Sequence, residues 1–557
     1  MKVKRSVSLL MAMLVLASAS ACAAGGEAAS ETPSQAESQA SQSTEETQGG
    51  GDTFEENGMT FHKTGTKISD EVLTLRGFGS KYPGNAEWDE NMLLWKELEE
   101  RTGIRIEWET VTNTEARSKA LTYFAADDLP DILGKNALNM TDVTKFSESG
   151  QLVDFAPIME EGLMPNFKQL YDEDVNVRIA NTNTEGGIYA LPCVYTDPID
   201  TVRRFMYIND QWLENVGMEH PTTIDELLEV LRAFRDQDAN GNGDPSDEYP
   251  MGLGDNIKQT EKTIYGLAGI EYVFDQPYNV VDGQMTQMYT SENMKQSFEL
   301  LHTLYSENLV EQDIFTRDAP EFFARLANNQ YGVTLLLPDG DSSQFGILEP
   351  TFGLNGEGTA VWNWEVSPVL TASTFNITSA NQYPKATARF MDYFYGDEGA
   401  TLVRMGVEGE TYVVNEDGSY SYTDEIKNDP QGIQFAMANH SFWLGTNTVP
   451  GKYTSQVTLP SIEGTLTVDC PEIFEPYLSE HVYSMPQLPS DLDDEKKQLQ
   501  DEINKYFSEC RAAFMTGSMD IETQWEEYVQ TLEQMGLDRL EEIYQEAYNI
   551  VQERMAQ

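Results

Sequence analysis

Residues 207–250 read YINDQWLENVGMEHPTTIDELLEVLRAFRDQDANGNGDPSDEYP, and the order of signals in this run decides the fold. Within it, residues 236–248, DQDANGNGDPSDE, set oxygen-bearing side chains at alternating positions with glycines between them. A hard cation takes about six to eight oxygens, and residues at i, i+2 and i+4 of a tightly turning loop point inward. Asp238, Asn240, Asn242 and Gly243 match the D-x-[DN]-x-[DN]-G core of a calcium loop. Two registers fit. Counted from Asp236, Asp238 is third, Asn240 fifth, Gly241 sixth and Asp247 twelfth, the EF-hand spacing with Asp in place of Glu. Counted from Asp238, Asp247 and Glu248 close a shortened loop. The same letters also make a solvated acidic turn, but ligand alternation and glycines then coincide by accident.

The residues before the loop show what it is attached to. Thr223 is placed to cap a helix and Glu226 to return the bond three residues on, a capping box. Ile224, Leu227, Leu228, Leu231 and Phe234 follow helical spacing, so an amphipathic helix leads straight into the loop. An ion there would pin the helix exit. A loop that commits its carboxylates to calcium keeps few for chemistry, which makes the expected ion structural.

Taken together, the extended run TVRRFMYI (201–208), the D-W-L segment Asp210, Gln211, Trp212, Leu213, the P-T-T helix and the N-G-N-G loop resemble the extracellular solute-binding proteins, family 1, of ABC importers. Within that family the run resembles the long lipoprotein branch that includes alginate-oligosaccharide binders. The resemblance favours the Asp238 register, with Asp238, Asn240, Asn242, the carbonyl of Asp244, Asp247 and Glu248 as ligands. This chain has one residue more than the usual spacing before the closing acidic pair. The segments VSPVLTASTFNITSAN, GVEGETYVV and GLDRLEEIYQEAYNIV are also similar to the family, so the resemblance covers nearly the whole mature chain. It implies an α/β, two-lobed periplasmic-binding-protein-like fold of type II, with an interlobe cleft and a helical C-terminal region.

Charge narrows the partners. The 557 residues carry 36 basic and 93 acidic side chains, a formal net charge of −57. That excludes nucleic acid bound through a basic surface and disfavours a polyanionic ligand unless a local basic pocket overrides it. Lys2, Lys4 and Arg5 form a positive n-region, residues 9–17 an apolar h-region, and Ala19, Ser20, Ala21, Cys22 look like a lipobox. Cys22 is therefore the expected lipidation site. Ordinary signal cleavage after Ala21 would instead release a soluble protein. Residues 23–53 are rich in Ala, Ser, Glu, Gln, Thr and Gly and read as a disordered tether. Only Cys193, Cys470 and Cys510 remain, which allow at most one intramolecular disulfide and suggest no zinc site.

From residue 72 strand and helix patterns alternate, the signature of a parallel sheet. The expected organisation is a signal at 1–22, the tether at 23–53, the first lobe at 54–200 and the second lobe with its calcium loop at 201–366. Residues 367–557 then return to the first lobe and end in helices. Crossing strands near Thr201 and Thr374 are the expected hinges.

No G-x-S-x-G, H-E-x-x-H or G-x-x-x-x-G-K-[ST] occurs, and the five histidines are scattered. A hidden pair of glycosidase carboxylates is the enzyme alternative, since spacing in sequence does not reveal one. Sugars stack on aromatic rings and bond to amides and carboxylates. Ligands in α/β lobes lie beyond the carboxyl ends of the strands. Tyr82, Asn85 and Trp88 after the first strand, Trp362 and Trp364 before the return crossing, and Trp443 in SFWLGTN are the candidate sugar contacts. Each ring taken singly is more often core than ligand contact.

The sequence reading is thus a monomeric substrate-binding lipoprotein, not an enzyme, anchored to the cell membrane and facing the extracellular side. It captures an oligosaccharide by hinge closure and passes it to ABC permease subunits. A receptor for peptide or another small solute is the alternative within the binding class, and a surface glycan-degrading enzyme the alternative outside it.

Overall fold

The alternation that begins at residue 72 builds the first of two sheets. A computed structural model describes residues 52–81, 86–244, 246–336, 344–356, 358–441, 451–462 and 465–556. Cys22, Tyr82, Asn85 and Trp443 lie outside the described residues. β1 (Leu73–Lys81) alternates buried and exposed side chains at first, then is buried throughout from Gly77 to Ser80. This change follows from helices packing on both faces. α1 (Leu93–Thr102) buries Leu94, Trp95 and Leu98 in one core, and α2 (Asn113–Ala126) buries Ala120 and Phe124 with Phe78 in another. Between these helices β2 (Ile104–Thr112) runs parallel to β1, in register from Leu73 opposite Ile104 to Lys81 opposite Thr112. On the other side of β1 lies β3 (Ile132–Leu133), also parallel. β4 (Leu191–Tyr195) completes the outward course of the first lobe.

The chain then crosses into the second lobe. β5 (Phe205–Asn209), β6 (Tyr249–Gly252), β7 (Tyr331–Leu336) and β8 (Phe345–Ile347) form a sheet in the order β8-β5-β7-β6. α3 (Ile224–Asp236) buries Leu227, Val230, Leu231 and Phe234, and Trp212 meets Phe234 edge-on at 5.2 Å. Fully burying each large apolar side chain of this kind contributes about 1.5–3 kcal/mol. α4 (Ile257–Leu267) and α5 (Glu292–Ser306) add to the same core, and Ser291 caps α5 through its hydroxyl.

β9 (Val369–Ile377) returns to the first lobe and lies antiparallel between β3 and β4, and β10 (Gly451–Tyr453) pairs parallel with β4. The sheet order is β10-β4-β9-β3-β1-β2. The outward and return crossings bond to each other, Arg203 N–H to Trp364 O at 2.8 Å and Val366 N–H to Thr201 O at 3.0 Å. Thr201 therefore sits in a crossing as expected, whereas Thr374 does not. Its hydroxyl is buried inside β9 and donates to Leu191 O at 2.7 Å, so the return crossing is at Trp364–Val366. A third strap runs past Leu478, bridged to Trp362, and through Ser484, whose hydroxyl lies 2.6 Å from that of Ser367.

α6 (Pro384–Asp392) packs on the first lobe, but the last helices belong chiefly to the second. α7 (Ser490–Thr516) places Phe507 and Phe514 within 5.8 and 5.6 Å of Phe298 on α5. In α8 (Ile521–Gln534), the Tyr528 hydroxyl donates to Tyr289 O at 2.8 Å. α9 (Leu537–Met555) reaches back to the first lobe, where Arg554 bonds Ile179 O at 2.7 Å. Cys193, Cys470 and Cys510 are buried free thiols.

Candidate functional site

The candidate metal loop begins where α3 stops. Thr223 Oγ1 accepts from Glu226 N–H at 3.2 Å, as expected of an N-cap. The Glu226 carboxylate returns to the N–H and hydroxyl of Thr222, both at 2.8 Å, one residue earlier than a capping box requires. Asp236 is the last residue of α3, and both of its oxygens are held by Arg235, at 2.7 and 2.8 Å. Beyond it the backbone turns on Gly241 and Gly243, whose φ of 72° and 94° lie where side chains are disfavoured. Asn240 and Asn242 donate their amides to the two oxygens of Asp247, each at 2.9 Å, and Gly243 N–H donates to Asp238 Oδ2 at 3.0 Å. Asp244 Oδ1 accepts from the Ser246 N–H and hydroxyl, at 3.1 and 2.5 Å.

Two oxygens are left over. Asp238 Oδ1 and Glu248 Oε2 are buried without a hydrogen-bond partner. Burial, with the charges of Asp247 and Asp238 beside it, pushes the Glu248 carboxyl above its ordinary range. Orphaned carboxylate oxygens among oxygen-only donors fit a hard cation. Among the described residues no three His, Cys, Asp or Glu side chains alone make a metal-holding group, so an ion here would also need the Asn amide oxygens and a backbone carbonyl.

The cleft lies at the carboxyl ends of the first-lobe strands. Asn113 follows β2 directly, Asn136 lies just past β3, and Thr371 and Ser373 stand near the start of the antiparallel β9. With Arg117 and Asn139 they line a hollow of about 420 Å³. A second, of about 340 Å³, shares Asn139, Met140 and Ala372 and is closed by Gln487 and Lys496. Asn113 Oδ1 and Gln487 Oε1 are buried there without partners. Asp142 fixes Arg117 with two bonds, at 2.6 and 2.9 Å, and joins Asn139 in a capping box. Asn136, at φ 64°, donates to Ser80 Oγ at 3.1 Å. The surface offers pre-positioned amides, hydroxyls and one oriented guanidinium, which suit the hydroxyls of a polar ligand.

Of the predicted aromatics, the three that are described, Trp88, Trp362 and Trp364, do not line these hollows. Trp88 is buried beside Trp95 and Trp108, at centroid distances of 5.9 and 5.2 Å. Gly77 makes room for that cluster, since a Cβ there would stand 2.7 Å from the Trp108 ring. Trp362 is only 1% exposed, packs tilted against Phe474 at a centroid distance of 4.7 Å and donates its indole N–H to Arg204 O at 2.9 Å. Its ring packs on protein in the second-lobe core, which corrects the expectation that it faces sugar. Trp364 lies on the return crossing with its indole bonded to Thr263 Oγ1 at 3.0 Å and its ring flanked by Arg204 and Lys262, at 5.4 and 5.3 Å. The amides Asn113, Asn136, Asn139 and Gln487 were missed. For Asn136 a signal existed, since GKN follows the short buried strand at its carboxyl end.

The model of the bacterial extracellular solute-binding protein family matches residues 85–401, and the chain belongs to that family. It is 24% identical over 494 residues to the fructooligosaccharide ABC transporter substrate-binding protein FusA of Streptococcus pneumoniae serotype 4, covering 86% of this chain and 90% of that one. FusA solved as an EF-hand mutant with fructo-nystose superimposes with a TM-score of 0.69 at 21% identity, over 86% of this chain and 99% of that one. An HMO-binding ABC-transporter-associated solute-binding protein from Bifidobacterium longum infantis gives 0.73 at 23% identity, over 86% and 99%. The alginate-binding protein AlgQ2, solved without calcium ion, gives 0.68 at 19% identity, over 87% and 99%. These likenesses establish the two-lobed solute-binding fold. The family consists of binding proteins rather than enzymes.

Proposed function

We propose that this protein is the oligosaccharide receptor of an ABC importer, a lipoprotein anchored through Cys22 on the extracellular side, which traps its cargo by closing two lobes. The observation that carries this reading is the amide-rich hollow at the carboxyl ends of the first-lobe strands, next to crossings that can hinge. The oligosaccharide specificities of FusA and the Bifidobacterium protein support the choice of sugar over peptide. No helix among the described residues is long and apolar enough to cross a membrane, which agrees with a lipid anchor as the attachment. The protein acts as a monomer and hands its cargo to permease subunits, which together with an ATPase supply the energy.

The loop at 236–248 holds a structural calcium ion through Asp238, Asn240, Asn242, the Asp244 carbonyl, Asp247 and Glu248. The orphaned oxygens of Asp238 and Glu248 support this, and the capture of Asp236 by Arg235 favours the register that starts at Asp238. The ion supplies charge that holds the exit of α3. Of the aromatic candidates, Trp364 at the crossing is best placed to meet cargo, and Tyr82, Asn85 and Trp443 stay candidates from sequence.

Thermal melting of the purified protein against neutral and acidic oligosaccharides and against peptides tests the reading. A ligand that binds only the native state raises the melting temperature by mass action. A shift with oligosaccharides and no released product is expected. A shift with peptides alone would replace the reading by a peptide receptor, and product formation would replace it by an enzyme.

A further inference from the structure

In a chain with 93 acidic and 36 basic side chains, a buried cation that no carboxylate neutralises is an exception. Lys135 is one. It is 9% exposed, and among the described residues nothing accepts a hydrogen bond from its ammonium group. Burial draws its pKa down to about 8, and the one titratable group that acts on it is the thiol of Cys193. Its backbone carbonyl is held by Ser80 Oγ at 3.2 Å, so the residue is fixed in place. It lies just past the end of β3, on the cleft side of the first lobe, and its neighbour Asn136 lines the 420 Å³ hollow.

A second cation stands on the outward crossing. Arg203 places its guanidinium 5.5 Å over the ring of Tyr195, which in turn lies 5.0 Å from the ring of Tyr453. Among the described residues its side chain donates one hydrogen bond, to the Asp200 carbonyl at 3.5 Å, and no carboxylate forms an ion pair with it. The buried Arg404 lies 4.2 Å over the ring of Tyr453, so it and Arg203 flank one aromatic pair, and Lys135 follows β3, which pairs with β9 beside β4; the charges of all three act on Cys193 in β4. The carboxylates that face them are Asp200, which is buried, and Asp197, which accepts from the N–H of Ser455. Neither carboxylate acts on Lys135. Burying an ammonium without a counter-charge is unfavourable, and such groups concentrate where a ligand provides the missing charge.

We infer that Lys135 and Arg203 receive an anionic substituent of the cargo, a carboxylate or a sulfate, so that the receptor selects an acidic oligosaccharide over a neutral one. The inference rests on the oligosaccharide reading above and narrows it to a substrate class.

Calorimetric titration of the protein decides it, with four probes of equal length: a uronate trisaccharide, its methyl ester, a sulfated trisaccharide and a neutral trisaccharide. The uronate or the sulfated sugar binds tighter than the uncharged probes by about tenfold or more, the size of one charge-assisted hydrogen bond. Which of the two it is identifies the anion. That preference shrinks as salt is added, and it falls toward unity in Lys135→Met and in Arg203→Gln, while Lys135→Arg retains part of it. Arg203→Gln carries the test if Lys135→Met does not fold. Equal affinity for uronate and methyl ester without sulfate preference, or binding of the neutral probe alone, overturns the inference and leaves the oligosaccharide reading standing. Binding of none of the four overturns both.

Discussion

Asp238 is the residue on which the metal assignment turns. One of its oxygens accepts from Gly243 N–H and the other is buried without a donor, so an ion would satisfy what the loop leaves open. Asp238→Ala should lower the melting temperature in calcium and remove the drop that EDTA causes in the wild type. Unchanged melting of the wild type with chelator would sink the calcium loop. Glu365, on the return crossing, offers a test by pH. Burial lifts its carboxyl from 4.5 to about 7, so the folded state holds this proton longer than the unfolded chain. The stability it lends is complete below the unfolded pKa and is lost as pH rises through the folded one. Glu365→Gln should therefore gain melting temperature over the wild type at about pH 8 relative to about pH 5. An equal difference at both would contradict that. At this scale the sequence was legible where chemistry is local: the Thr223 cap reads from its neighbours, and its hydroxyl accepts from Glu226 N–H. Asn113 and Gln487 were not legible, because their value depends on which strand ends share a cleft, and Asn136 was signalled only by its place just past a short buried strand. Trp362 was misread because a tryptophan next to a crossing can turn either toward the cleft or into the core.

At the scale of elements, the strands and helices of the first lobe follow from the alternation that begins at residue 72. What periodicity could not place was the partner of each element. The C-terminal helices show apolar stripes in sequence, but only the structure sets α7 and α8 against α5 in the second lobe. The junction between α4 and α7 contains a buried ion pair, Glu261 with Arg511 at 2.7 Å, the side chains 5% and 8% exposed. Burial nevertheless lifts the Glu261 carboxyl to about 7 in spite of Arg511. Removing one partner leaves the other charge without compensation. Arg511→Met should destabilise the protein by roughly 3–5 kcal/mol, and adding Glu261→Met should recover most of that loss. Denaturant unfolding of the two variants checks this, and an additive loss in the double variant would show that the pair is not coupled. The hinge was misplaced at Thr374 for a related reason: a strand that returns from a crossing looks the same in sequence before and after it enters the sheet.

For the whole molecule, the composition excluded a general basic surface but could not show where the few cations gather. The fold sets Arg203 and Arg404 over the paired rings of Tyr195 and Tyr453 and Lys135 just past β3 of the same sheet, inside a chain of net charge −57. Under the proposed function the same fold makes recognition a matter of motion, with the second lobe closing over cargo held in the first-lobe hollow. Small-angle scattering of the protein with and without the oligosaccharide that raises its melting temperature most tests this directly. The account predicts a smaller radius of gyration on binding, with the sugar recovered intact. An unchanged radius at saturation, or a cleaved sugar, would contradict it.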